Sequence, residues 1–446
     1  MTIDQLFIKL LPAFIRTKLE GRIVLQKTIS NAGWLLADNI IRLGFGLIVV
    51  IWLARYLGPD QFGLLSFAAA FVLLFSPLST WGLDGIVVRN ILLKPEATNE
   101  TLGTTFALKL LGGFLATGLS LAAIYVLHPD DSLKQWLIGI TAAATVFQAL
   151  DAVDFWFQSQ IQSKYTVFAK NASFLVVVLV KIILIVIKAP LLAFAWAGLI
   201  ETFLGSIGLA IAYKATGNSL AVWHASFVMA KRLLQDSWPL ILSGIVGMIY
   251  LRIDQVMLGE MVSNEEVGIY SAAVRVAEAW YFVPMAVFSS VYPSVVEAKT
   301  MSDDLFYERL QRLYKFMAFI GYAVAVPASL LSGFLINILY GARYHRAGAM
   351  LAVLVWAGLF VSIGVARSSF LMSMNWTKLH FMTVLMGSLL NVVLNLALIP
   401  LYGGMGASIA SCAAYWLAAH GSCFLYRPLR KTGLMLTKAL IYPKFW

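Results

Sequence analysis

Runs of about 20 apolar residues, the length an α-helix needs to cross the hydrocarbon core of a bilayer, recur along the whole sequence. Twelve are read, at 33–54, 62–83, 104–127, 135–157, 167–187, 191–213, 238–259, 268–292, 314–338, 347–371, 380–400 and 405–426. The hydrophilic breaks between them are short, so backbone exposed to lipid is confined to helices, as the missing water requires. No stretch is left for a water-soluble domain. Composition agrees: 60% of the residues are hydrophobic and 12% charged, where a soluble domain carries about a quarter charged. The expected fold is an all-α membrane protein of about twelve transmembrane helices.

The segment ahead of the first run does not read as a cleavable signal. Residues 3–15 are broken by Asp4, Gln5, Lys9 and Pro12, and no small-residue cleavage site follows. Leu6, Leu10, Phe14 and Ile15, with Lys9, Arg16, Lys18 and Arg22, suit a short helix on the membrane surface. A partly ordered basic tail is the other reading.

Basic residues set the orientation. With the N-terminus inside, 20 Lys and Arg fall in cytoplasmic segments and 5 outside, namely Arg55, Lys134, Lys188, Arg343 and Arg346. That asymmetry over short loops places both termini in the cytoplasm of a cell whose cytoplasmic (inner) membrane holds the chain. The net charge of +11 then needs no nucleic acid, because the inner leaflet is anionic. Cys412 and Cys423 share the last span. Their spacing puts them roughly 16 Å apart along a helix, too far to bridge.

The chain also repeats itself. Trp34 opens the first span and Gly63 the second; Trp238 opens the seventh and Gly268 the eighth. Gly63-Leu-Leu-Ser66-Phe-Ala68 parallels Gly268-Ile-Tyr-Ser271-Ala-Ala273, Lys164 parallels Lys378, and Pro190 parallels Pro400. Six spans per half keep both halves in one orientation, and such parallel repeats place a central cavity between two bundles. The organisation expected is a cytoplasmic segment 1–30, a six-helix bundle 31–213, a linker 214–236, a second six-helix bundle 237–426 and a basic tail 427–446. Pro77, Pro284 and Pro327 lie inside spans, where a lost hydrogen bond bends the helix. Such bends serve a rocking bundle or merely shape packing.

Charges inside spans are the candidate functional groups, since each costs about 2.5–3.5 kcal/mol at the bilayer centre unless it meets water or a partner. Lys109, Lys170, Asp84, Asp151, Asp154 and Arg367 lie toward cytoplasmic ends, where the lysines can snorkel, as Lys181 can toward the other side. Arg42 sits near mid-span with Asp38 four residues earlier on the same face. Arg252 and Asp254, two positions apart, point in nearly opposite directions. Arg275 and Glu278 share a face beside Trp280 and Tyr281, and Glu201 has no partner on its own helix. Guanidinium groups donate paired hydrogen bonds and stay charged, which suits phosphate. Arg42, Arg252, Arg275 and Arg367 are therefore the candidate substrate-binding residues. Asp38, Asp254 and Glu278 either neutralise them or exchange a coupling ion, H⁺ or Na⁺.

Ala54-Arg-Tyr-Leu-Gly-Pro-Asp-Gln-Phe-Gly63, Trp81-Gly-Leu-Asp-Gly-Ile-Val-Val-Arg89 and Asn395-Leu-Ala-Leu-Ile-Pro400-Leu-Tyr-Gly-Gly-Met-Gly-Ala407 resemble turns of polysaccharide flippases. These are the O-antigen and exopolysaccharide translocases of the multidrug/oligosaccharidyl-lipid/polysaccharide exporter superfamily. The resemblance runs from Asn31 to Tyr426. It implies a MATE-like fold and alternating-access transport of an undecaprenyl-pyrophosphate-linked oligosaccharide to the outer leaflet, in polysaccharide biosynthesis. Its partners would be that lipid-linked glycan, membrane lipids, and polymerase and chain-length proteins. Asp84 and Arg89 lie in the matched motif and suit gating, first contact with pyrophosphate, or a helix-end role.

The rivals are weaker. A drug or metabolite exporter of the same fold would favour an acidic or aromatic pocket, and a lipid II flippase carries extra spans. A glycan polymerase or ligase needs a large external loop, and the outside loops here are short. The histidines (His128, His224, His345, His380 and His420) are scattered without metal-ligand spacing, and no Gly-Lys phosphate loop occurs. The reading is a transporter without cofactor, not an enzyme. A passive scaffold is disfavoured by charges such as Glu201.

Overall fold

The computed structural model describes residues 23–444, with side chains from residue 30 onward except 32 and 36. The surface-helix reading of residues 3–15 therefore lies outside the described residues. Helices account for nearly all of the rest, and no strand occurs among the described residues. They are α1 (Ile23–Thr80), α2 (Asp84–Leu93), α3 (Thr98–Leu127), α4 (Ser132–Phe147), α5 (Asp151–Ser159), α6 (Lys164–Val186), α7 (Leu191–Ala215), α8 (Phe227–Met261), α9 (Asn264–Glu278), α10 (Phe282–Met301), α11 (Asp303–Leu330), α12 (Ser332–Tyr340), α13 (Ala347–Ser373), α14 (Thr377–Tyr402), α15 (Gly404–Trp416) and α16 (Arg430–Ile441). Ten helical stretches among the described residues are long and apolar enough to cross a membrane. The chain is a multi-pass membrane protein.

Helix breaks fall where residue chemistry demands them. At Gly58 (φ 76°, ψ 171°) α1 folds into two spans, because a residue without Cβ tolerates the left-handed turn and Pro59 cannot continue the ladder. Trp81 (φ 52°) and Gly82 (φ 60°) then separate α1 from α2. The indole holds the strained turn by donating from Nε1 to the carbonyl oxygen of Leu108, at 2.7 Å. The eighth span is broken outright at residues 279–281 instead of bent at a central proline. Pro284 accordingly occupies the first turn of α10, where a proline costs little, while Pro239, Pro293, Pro327 and Pro400 are the prolines enclosed by the second-half helices. The last span is interrupted by a π-helical turn, Leu417–Gly421.

Two units are distinguished. Of the described residues, the first comprises 23–50 and 75–244, the second 51–74 and 245–444. Within the first, α3 packs on α4, α6 on α7, and α4 on α7. Leu83, Val87, Leu102, Phe155 and Leu233 form one of its apolar cores. Within the second, α11 packs on α13, α13 on α15, α14 on α15, and α16 on α11. One of its apolar cores gathers Phe306, Leu310, Tyr314, Ile363, Phe370 and Leu436. The two glycines matched by the internal repeat meet inside this second unit. A Cβ on Gly63 would lie 1.7 Å from the carbonyl oxygen of Asn264, and one on Gly268 would lie 1.9 Å from that of Pro59. With lipid offering no hydrophobic drive, helices associate through such backbone approaches.

Candidate functional site

In the first unit the charges inside spans form two chains of ion pairs, most of their side chains half-buried. Arg42 donates from Nε to Asp38 Oδ1 at 2.9 Å, one helical turn away, and lies 3.9 Å from Glu201. Its guanidinium also sits over the Phe174 ring, 5.2 Å from the centroid. Glu201 receives Lys181 at 3.2 Å. Two sequence expectations are corrected here: Glu201 has partners, supplied by other helices, and Lys181 turns inward to it in place of snorkelling.

The second chain overturns the snorkelling reading of two more lysines. Lys109 is buried 3.8 Å from Asp151, over the Phe155 ring at 4.9 Å. Lys170 bridges Asp151 at 3.0 Å and Asp154 at 3.5 Å, and Thr166 donates its hydroxyl to Asp154 at 2.7 Å. A cavity of about 260 Å³ lies between the chains, lined by Arg42, Gln148, Asp151, Lys170, Glu201 and Ser206 among others. The pattern is visible in the sequence as two lysines and an i,i+3 acid pair in apolar runs, but which helices face each other is not.

Of the motif residues, Asp84 lies within electrostatic reach of Lys109, Lys170, Asp151 and Asp154 of the second chain. Asp84 stands exposed in the first turn of α2, where the helix dipole favours a carboxylate. Arg89 pairs with Asp236 at 2.6 Å on an exposed face.

In the second unit, Arg252 on α8 meets Glu278 at the end of α9, 3.4 Å away. Glu278 thus pairs across helices and not with Arg275, its neighbour on the same face. Arg275 makes no hydrogen bond or ion pair with any described residue, and it is exposed. It lies three residues before the end of α9, beside the break in the eighth span.

Asp254 does not neutralise Arg252 either. It is buried among uncharged donors from three other helices. Tyr270 donates its hydroxyl at 2.8 Å, and Ser411 and Asn395 donate as well. Asn391 accepts from Asn395 at 3.2 Å, and the side-chain oxygen of Asn395 has no hydrogen-bond partner. A void of about 20 Å³ adjoins Asp254, Tyr270 and Ser411. Tyr270, Asn391, Asn395 and Ser411 carry no signal alone, being ordinary polar residues in apolar helices.

Arg367 lines a different, mostly apolar cavity of the second unit. It donates to Ser422 at 3.1 Å and to Thr383 at 2.9 Å. Cys423, free like Cys412, is buried beside it.

A helical chain with ten membrane-length stretches among the described residues, broken spans and charges paired across helices is a polytopic membrane protein. Comparison with known proteins gives its family. Residues 28–299, more than half of the chain, match the family described as "Polysaccharide biosynthesis protein", and residues 239–397 match MatE. The chain belongs to the polysaccharide biosynthesis protein family. It is 24% identical over 408 residues, 88% of this chain and 81% of the relative, to "Probable flippase AglR" of Haloferax volcanii. The fold is similar to an inward-facing multidrug resistance MATE transporter of the MOP superfamily, with a TM-score of 0.72, 15% identity, and 89% of this chain and 96% of that one covered. It is likewise similar to the inward closed lipid II flippase MurJ, with a TM-score of 0.67, 16% identity, and 93% and 91% covered.

Proposed function

We propose that this chain carries an undecaprenyl-pyrophosphate-linked oligosaccharide from the inner to the outer leaflet of the cytoplasmic membrane. It does so by alternating access between the six-helix halves 31–213 and 237–426, with both termini in the cytoplasm. The observation that carries this reading is Arg275: an exposed guanidinium, unpaired among the described residues, at the break of a span it shares with Glu278. A cation so placed is costly unless it borders water or meets an anion, and a guanidinium edge matches the paired oxygens of a pyrophosphate. Arg252 and Arg42, each held by one or two carboxylates, can exchange those partners for substrate phosphate as the halves rock. The names of two similar proteins, a probable flippase and a lipid II flippase, and the family's polysaccharide description support the same substrate class.

Asp254 is the residue assigned to ion coupling. Its carboxylate, the free oxygen of Asn395 and the hydroxyls of Ser411 and Tyr270 form an all-oxygen set, the donor type hard cations take. The adjoining void of about 20 Å³ has room for one water-sized guest. H⁺ and Na⁺ both suit it.

The test uses cells lacking the chain, complemented with Arg275→Ala or Arg42→Ala. Lipid-linked oligosaccharide should accumulate in the inner leaflet while the variants still insert. Wild-type export by both variants would overturn the assignment. A drug or metabolite exporter is the second reading, favoured by the MatE match over residues 239–397. Efflux of cationic dyes that survives Arg275→Ala would select it.

A further inference from the structure

Arg367 is 2% exposed, and no carboxylate pairs with it among the described residues. Of its five N–H groups, three are engaged: Nη1 donates to Ser422 Oγ at 3.1 Å and to Cys423 Sγ at 3.6 Å, and Nη2 to Thr383 Oγ1 at 2.9 Å. Nε is buried without a partner. All three partners are neutral, so the positive charge itself is uncompensated. Leaving a buried charge in that state is strongly unfavourable, and an anion is the missing half.

The surroundings say what kind of anion. Arg367 lines a cavity of about 270 Å³ with His380, whose Nδ1 is also buried without a partner. The rest of the wall is largely apolar: Phe360, Val361, Val365, Met372 and Val384. One flank is carried by Ala418 and Ala419 of the π-helical turn, an irregularity that proteins concentrate at functional sites. Val361, Gly364, Val365 and Ser368 recur at helical spacing on α13, so one face of that helix is given to the cavity.

We infer that this cavity is a binding site for a lipid phosphate, its oxyanion gripped by the Nε edge of Arg367 and by His380, its first chain carbons against Phe360, Val361 and Val384. The cavity shares Tyr415 with the small void beside Asp254 and Glu278, but the proposal does not rest on the translocation reading. A bound lipid there ties α13 to α14 and to the interrupted last span, and so stiffens the second unit.

The experiment measures binding of dihexanoyl phosphatidate, below its micelle concentration, to the full chain in neutral detergent, with inorganic phosphate as a parallel titrant. Saturable one-to-one binding of the phosphatidate is expected, weakened at least tenfold by Arg367→Gln and by Val361→Trp, which fills the cavity without touching the charge. Lys214→Gln, which removes an exposed basic residue of the first unit, should bind as wild type, and because no residue of the translocation reading is altered, this result and the translocation assay can fail separately. If Arg367→Gln does not fold, Val361→Trp decides alone. Unchanged binding in the filled-cavity variant overturns the site. Equal affinity for inorganic phosphate overturns the lipid assignment, leaving no role for the apolar wall.

Discussion

Glu201→Leu tests whether the interior charges of the first unit are a structural unit. Glu201 faces Lys181 at 3.2 Å and Arg42 at 3.9 Å. At an effective dielectric of about 20 these separations correspond to gross attractions of about 5 and about 4 kcal/mol. All three side chains are between a fifth and a third exposed, so solvent removes a good part of that. Breaking a fully buried pair costs about 3–5 kcal/mol, and about 2–4 is expected for Glu201→Leu, which strands Lys181 and leaves Arg42 with Asp38 alone. Lys181→Met should cost less, about 1–2 kcal/mol, because Glu201 keeps Arg42. The double variant should also lose only about 1–2 kcal/mol, since Arg42 retains Asp38 and the two apolar replacements pack together. The single costs then exceed the double by roughly 2–4 kcal/mol, a coupling energy that a double-mutant cycle reads directly. The assay is reversible unfolding in mixed detergent micelles, with all four proteins compared under one condition. Additivity within about 0.5 kcal/mol would mean that the Lys181 ammonium snorkels to water after all.

Other outcomes follow from the same geometry. Gly63→Leu drives a side chain into the Asn264 carbonyl, and should lower the yield of folded protein far more than Gly85→Leu, whose added Cβ meets nothing within 4 Å; gel filtration in detergent compares them. Asp254→Asn keeps the hydrogen-bonded shape but removes the charge, so transport in vesicles should lose its dependence on an imposed ion gradient while the thermal midpoint holds or rises. An unaltered gradient dependence removes Asp254 as the coupling residue. Arg89→Ala breaks a pair more than two-fifths exposed on both sides, so its thermodynamic cost should stay below about 1 kcal/mol, and a transport defect without destabilisation would mark it as a gate.

What is legible in the sequence is whatever a single helix determines. Apolar length gives the spans, and the helix ends come close, because lipid forbids any other backbone at that depth. Gly58, Gly63 and Gly268 stand out for the same reason: a missing Cβ is a local fact, even when the carbonyl that exploits it belongs to another helix. The i,i+4 pair Asp38–Arg42 is readable too, since one helix carries both partners. Across helices the reading fails in a consistent direction. Lys109, Lys170 and Lys181 suggest snorkelling because each helix, taken alone, offers no carboxylate within reach; Asp151, Asp154 and Glu201 arrive from other helices. Spacing matches Glu278 to Arg275, yet it reaches Arg252 on another helix and leaves Arg275 bare. Helical periodicity tells which residues share a face but not what that face meets. In a bundle where water cannot supply the counter-charge, the meeting decides everything about a buried ion. The exposed guanidinium of Arg275 and the enclosed one of Arg367 look alike in sequence, each an arginine in an apolar run. Their different surroundings make one a candidate for moving cargo and the other for holding a resident lipid.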